Sequence, residues 1–536
     1  MKRLSLYLLL IACPAAVWAQ ETDSVRIRRD LLLERDYVPV AESAGKIYQS
    51  PGLEDVQTQK TSIRFATQQN RLASTQEYVP LSPAQAVTDF PDQERLGWVR
   101  VGGGNHWAFL GDGQLNLLRG PKQTLDLNGW HRSSALPGNQ YTGEAWNSDS
   151  RLQANYKLHA GSCELTAGLG DRFANWNYYR FSDADGGGKP WSNDAALHLG
   201  LASKPWDRQF DYALQAEAHM FHLGNCPALS DSSVTQWELS LSGKGTYHID
   251  DDWAAVLEAR VRLYGQRFWF EIHPQATYRM DLWNFALGVR LSHLSGNSLR
   301  AAATASAWRE LGANALARLQ IDGGEQTFSL REGLSLNPYL DPSQLLEPEY
   351  VPVRVELSLP WQTFSVLEVA PELGMRVLRS SAFLGNVDNG QVQAVFTPTY
   401  LNAFHWYAGA RLDLSLNSRL RLGGNVCYNH YTVDGLDKPW YRPALLADIH
   451  LEYNPIDRLH VSGEYHWQGL RYAPTAVSNA ELLPSLHHLQ AECTYDLGPR
   501  LSVFAQVRNL LNQDFSLWYG YPHYGITGLA GASWSF

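Results

Sequence analysis

The chain has 536 residues, carries 44 Lys and Arg against 54 Asp and Glu, and has a mean hydropathy of −0.31. No run of ~18 apolar residues lies beyond the amino-terminal leader, which excludes membrane-spanning helices, and a net charge of −10 argues against a nucleic-acid partner. Nineteen Trp, 26 Tyr and 18 Phe give an aromatic content of 12%, which suits girdles at two membrane interfaces.

Residues 1–19 read as a secretory signal. Lys2 and Arg3 supply the charged start, residues 4–12 the apolar core, and Val17-Trp18-Ala19 a cleavage site. Cleavage after Ala19 leaves 42 basic residues against 54 acidic ones, a net charge of 42 − 54 = −12. The alternative is a lipoprotein box, Leu10-Ile11-Ala12-Cys13, with lipidation at Cys13. The Pro-Ala-Ala-Val-Trp that follows is not the polar tether such a box usually precedes. The remaining cysteines, Cys163, Cys226, Cys427 and Cys493, fit no CxxC pattern and read as free.

Residues 20–93 are polar and broken by Ser50-Pro51-Gly52 and Leu81-Ser82-Pro83, with at most a helical turn or two at 30–35. They are expected to form a periplasmic arm that can tuck into the mouth of whatever follows. Residues 94–536 then keep one rhythm. Leu152, Ala154, Tyr156 and Leu158 alternate with Gln153, Asn155, Lys157 and His159. Tyr212, Leu214, Ala216 and Ala218 alternate with Asp211, Gln215, Glu217 and His219; Leu459, Val461, Tyr465 and Trp467 alternate with His460, Ser462, Glu464 and His466. A face that stays polar along a whole strand, opposite one that stays apolar, is the pattern of a transmembrane antiparallel β-barrel.

Short turns at 160–162, 250–252, 454–457 and 498–499 alternate with long connections at 133–148, 176–192, 331–349, 381–403, 432–439, 471–483 and 510–522. Short turns belong to the periplasmic rim and long loops to the exterior. On this parity the all-β barrel has about 22 strands, or 18 to 20 if weak segments merge. Within 341–350, Leu345-Leu346 suggests a short helix folding inward as a constriction. Asp183-Ala184-Asp185-Gly186 has the opening of a calcium loop but lacks its closing glutamate, so a plain exposed loop is expected.

Four lumen-facing histidines are the candidate metal ligands. A tight turn at 454–457 would bring His450 to His460, and the next hairpin would set His466 opposite His488, with Asp448, Glu452, Glu464 and Glu492 nearby. The competing reading is a hydrated lumen wall, and a one-residue slip of register would separate the pairs. No cofactor is expected. A barrel hydrolase would need a nucleophile, a histidine and an acid on the lipid-facing wall; His487 is the clearest outward histidine, and no serine of matching parity and height goes with it. A non-enzymatic role is therefore expected.

The last stretch carries a family resemblance. Val507, Asn509, Leu510, Leu511 and Asn512, then Trp518, Tyr519, Gly520, Tyr521 and Pro522, resemble the final hairpin of TonB-dependent outer-membrane receptors. Where that family often has Pro-Gly-Arg, this chain has Pro522-His523-Tyr524-Gly525-Ile526. Asn337-Pro338-Tyr339-Leu340-Asp341-Pro342 and Glu34-Arg35-Asp36-Tyr37-Val38-Pro39-Val40 resemble segments of reduced or plugless barrels of this kind from Bacteroidetes-type bacteria. The resemblance implies an integral protein of a Gram-negative outer membrane. It implies a plug in 20–93, but that segment is too short for one and has no recognisable energy-coupling box. It further implies that Trp534 and Phe536, at the end of the closing strand, are what the barrel-assembly machinery recognises. The expected activity is a porin-like channel or transport protein for small solutes. The alternative is a scaffold that binds an envelope partner through its arm or loops.

Overall fold

The structure, a computed structural model, describes residues 95–136, 145–178, 189–204, 209–226, 228–229, 232–312, 314–363, 366–388, 391–474, 480–523 and 525–536. The signal segment, the arm and the 183–188 loop lie outside these.

Strands with one apolar and one polar face persist in lipid only when neighbours take every backbone hydrogen bond, so the ribbon must close on itself. It does. The sheet follows chain order from Gly97–Gly104 to Thr527–Ser535, and these two strands pair antiparallel, Trp98 opposite Ser535 and Gly104 opposite Leu529. Of its 23 segments, Glu349–Ser358 and Trp361–Thr363 both pair with Leu367–Asp388 and form one wall strand broken at Leu359-Pro360. The barrel therefore has 23 − 1 = 22 strands. Proline has no N–H to give the ladder, which is why the break falls there.

Alternation assigns the faces as the sequence predicts. Leu152, Leu169, Leu214 and Leu287 are all at least half exposed, toward the space that lipid fills. At the short-turn end the ring pairs Trp253–Tyr278, Trp283–Phe285 and Trp534–Phe536 lie 4.4, 5.6 and 5.1 Å apart and form one girdle.

The seam has its own packing. Phe504 points into the lumen and lies flat across the closing strands. A Cβ at Gly102 would stand 2.9 Å from its ring and push it aside, while one at Gly531 would stand 2.7 Å from the ring and closer still to the Val101 carbonyl, so Gly531 must be glycine. The Arg100 guanidinium covers the other face at 3.7 Å and is itself tied to Glu492 at 2.5 Å. The last residue joins in. Phe536 donates its N–H to Gly97 at 2.9 Å and accepts from the Gly97 N–H at 3.1 Å.

Two expected connections differ. Residues 381–403 are not a loop: Leu367–Asp388 and Gln391–Asn417 are the longest strands, and their hairpin carries the wall beyond the membrane. The apolar residues Phe383 and Phe396 hold it there, each almost fully buried. The turn expected at 454–457 is shorter. Leu445–Ile456 runs on to pair Ile456 with Leu459, with an irregularity behind Tyr453, so the chain reverses at Asp457-Arg458.

Candidate functional site: the lumen and its cap

The helix expected at Leu345-Leu346 does not form; a helix stands one segment earlier. It spans Leu330–Leu336 and begins on Ser329, which accepts from the Glu332 N–H while Glu332 reaches back to the Ser329 N–H. Such a capping box supplies the start, and the spacing of Leu330 and Leu334 supplies one apolar face. Around Leu345 no helix forms, because Asp341 turns the chain through its side chain and Pro342 and Pro348 flank the stretch.

The helix belongs to a connection, 327–348, that folds across the outer mouth. Leu330, Leu334, Leu340 and Leu346 meet Tyr178, Phe221, Leu223, Cys226, Phe396 and Tyr521 in one buried core. These partners come from separate stations round the wall, and the rings of Tyr339 and Tyr521 stack at 3.5 Å. The result is an apolar cap above a polar lumen.

The wall anchors the cap through buried charge. Arg262 pairs with Glu238 at 2.5 Å and with Glu332 of the helix at 2.6 Å, and donates to the Thr327 carbonyl at 3.2 Å. Leu330 donates its N–H to Gln236 at 2.8 Å, and Arg331 reaches Glu238 at 3.4 Å. At the tip of the hairpin that carries Arg262, Arg267, paired with Tyr264, holds the Leu346 carbonyl at 3.0 Å and Glu347 at 2.8 Å. The Asp341 N–H donates to the carbonyl of Phe396 on the strand hairpin at 2.8 Å, and the Phe396 N–H donates to the Tyr339 carbonyl at 2.7 Å. A further brace is Arg471, almost fully buried, which donates to the carbonyls of Ser516 and Leu517 at 2.9 and 3.1 Å. Burial pushes its pKa down. Sequence reading missed all of these contacts. Only the S-x-x-E spacing at 329–332 signals any of them.

Within the cap, the Tyr178 hydroxyl and the Cys226 thiol lie 3.7 Å apart, and burial raises both pKa values. All four described cysteines are free.

The lumen-facing histidines do not gather. Because the chain reverses at Asp457-Arg458, His450 stands opposite Glu464, not beside His460. His450 lies over Gly423, 4.0 Å from Asp413. His460 sits near the periplasmic rim between Asn454 at 2.8 Å and Asp496 at 3.2 Å. His466 and His488 do face each other, but His466 is bonded to Asp448 and Gln468 while His488 packs edge-on against Phe515 and His523. Among the described residues no group of three or more His, Cys, Asp or Glu side chains is disposed to hold a metal ion.

On the outer wall the structure supplies a serine that parity reading did not find. Ser485 Oγ lies 3.0 Å from His487 Nε2, and Tyr465 OH lies 2.7 Å from His487 Nδ1. A phenol does not steady an imidazolium as a carboxylate does. The group is also tied down, since Gln513 accepts from the His487 N–H at 2.7 Å and donates to the Ser485 carbonyl at 2.8 Å. It reads as a strut between the wall and the 509–513 turn.

No family model matches the chain, and no curated protein sequence matches it. Solved structures do. The ferric-catecholate import receptor Fiu from E. coli K12 matches with a TM-score of 0.63 at 12% identity, covering 83% of this chain and 82% of that one. The siderophore receptor PirA from Acinetobacter baumannii gives 0.63 at 12%, over 82% and 80%. The ferric enterobactin receptor PfeA from Pseudomonas aeruginosa gives 0.62 at 13%, over the same shares, 82% and 80%. The barrel has the fold of these receptors. At such identities the likeness is one of fold, and it agrees with the resemblance carried by the final hairpin.

Proposed function

We propose that the chain is a non-enzymatic outer-membrane channel for small solutes, closed at its outer mouth by the 327–348 connection. The observation that carries this reading is the apolar cap laid across a polar lumen and fastened to the wall by Arg262, Glu238 and Glu332. A wall alone needs no such crossing; a passage that must be shut does. Structures with the same fold include an import receptor and a copper transporter, which supports a transport role. Residues 20–93 are short for a plug, which favours gated or passive passage over energised uptake. Partners on this reading are the outer-membrane lipid and the barrel-assembly machinery, which would recognise Trp534 and Phe536.

The test is planar-bilayer conductance of the purified full-length protein beside a version lacking 20–93 and beside Leu334→Asp, which puts a charge into the cap. Conductance that rises when the cap is broken supports the reading. A barrel that stays silent in all three forms overturns it in favour of the second reading, a scaffold that binds an envelope partner through its arm or loops.

A further inference from the structure

Beneath the cap lies a cavity of about 770 Å³, bounded by the wall strands between Phe109 and Asp194, by the closing strands, and by Leu334 to Tyr339 of the cap. That volume is within the range of sites for small organic molecules.

Its charge runs against that of the chain. The described lining holds five arginines, Arg132, Arg151, Arg172, Arg331 and Arg508, and two carboxylates, Asp149 and Asp194. The protein as a whole is at −10. The two aspartates are already engaged: Asp149 takes Arg172 at 2.8 Å and Arg151 at 3.3 Å, and Asp194 takes His219 at 2.9 Å. Arg331 turns mainly to Glu238, outside the cavity, at 3.4 Å.

That leaves Arg132 and Arg508. Neither has a carboxylate within 4.0 Å among the described residues, although each is half-buried: Arg132 repels Arg508 and is itself repelled by Arg100, while Asp112, Asp149, Glu464 and Glu492 act on the pair only from longer range. The Arg508 Nε is fully enclosed and has no hydrogen-bond partner, and so is the Arg331 Nε on the cap side. A like-charged pair in a partly dry site is costly unless an anion joins it. Guanidinium forks match the oxygens of phosphate and carboxylate two at a time. Wall and cap residues such as Phe109, Phe221 and Tyr339 offer apolar surface for the rest of a ligand.

We propose that this cavity binds a small organic anion bearing two or more phosphate or carboxylate groups, held chiefly by Arg132 and Arg508. The solute class named here rests on the channel reading, but binding itself can be measured without any transport.

The experiment is calorimetric titration of the full-length protein in detergent with pyrophosphate and with citrate, using choline and chloride as controls. Saturable binding of at least one polyanion is expected. Arg132→Ala with Arg508→Ala should weaken it at least tenfold, Arg132→Lys with Arg508→Lys should restore part of it, and Arg260→Ala, elsewhere on the lumen wall, should leave it unchanged. The preference between pyrophosphate and citrate tells phosphate from carboxylate. No saturable binding by either anion overturns the proposal. So does binding that the double alanine variant keeps, with heat-modifiable migration confirming that the variant is folded. Anion binding without conductance in any form would leave this site standing and remove the channel reading. Conductance without anion binding would do the reverse.

Discussion

The wall and the cap are built from the same chain by different rules. In the wall each residue answers to a neighbour opposite it and to the medium on its side, so a period of two states its position in advance. Leu214 and Gln215 are adjacent, equally ordinary, and face opposite media. In the cap only the short helix at Leu330–Leu336 has a period. Leu340 is 1% exposed because it lies in one core with Tyr178, Phe221, Phe396 and Tyr521, scattered through the chain. The wall is held by its ladder of backbone bonds; the cap is held by packing and a few charges. The cap can therefore loosen while the wall stays shut.

Leu340→Ala separates the two most sharply. It removes a fully buried side chain at a cost of about 3–5 kcal/mol. That loss should fall on the cap alone. Cys226, 0% exposed in the cap with its thiol pKa raised, is the reporter. Its maleimide labelling should rise by roughly a hundredfold or more if local opening controls access, while heat-modifiable migration stays normal. Loss of both together would mean that cap and wall fold as one unit.

The wall is broken the other way. Leu214→Arg should cost about 2–4 kcal/mol near the midplane and lower recovery in the outer-membrane fraction. Gln215→Arg should be tolerated. Gln215 is a cleaner control than Asp211, which already bonds His248 at 3.0 Å. Equal damage from both would show that the assigned faces are wrong.

This contrast also explains what could be read from the sequence. The faces, the 22 strands, the closing strand and the pairing of His466 with His488 all follow from alternation and turn spacing. The distance from His450 to His460 does not, because it depends on whether the chain turns at 454–457 or at Asp457-Arg458. Proline at 455 suggests the first, yet the strand accommodates it at an irregularity. The helix position was half legible. Ser329 and Glu332 mark it, whereas Leu345-Leu346 draws the eye for hydrophobicity that serves the cap without any helix. Arg262, Arg132 and Arg508 look like any lumen-wall arginine until the fold sets them under the cap.

Glu332→Ala should have a smaller effect on the cap. The side chain is about one-third exposed, and Arg262 keeps Glu238, so no cation is stranded. Losing half of the capping box and one partly screened ion pair should cost about 1 kcal/mol. Labelling of Cys226 should rise by roughly fivefold. A change as large as that of Leu340→Ala would show that charge, and not packing, is the latch.

Deletion of Phe536 should disturb the finished molecule least, and so it tests how the wall is made. Its backbone exchanges two hydrogen bonds with Gly97 at the rim, and its ring packs at 5.1 Å on Trp534. Water can replace rim bonds, so the folded barrel should lose only about 1 kcal/mol. Purified protein lacking Phe536 should refold into detergent almost normally. If the aromatic end is what the assembly machinery recognises, the same deletion should slow insertion in cells, with the chain degraded in the periplasm. If the rings only anchor the sheet, insertion and refolding should weaken together and by little. Normal insertion with normal stability would mean that the last residue neither signals nor seals. The seam would then depend on Phe504, seated between Gly102 and Gly531 under Arg100, which predicts that Gly531→Val, not the deletion, is the change that opens the barrel.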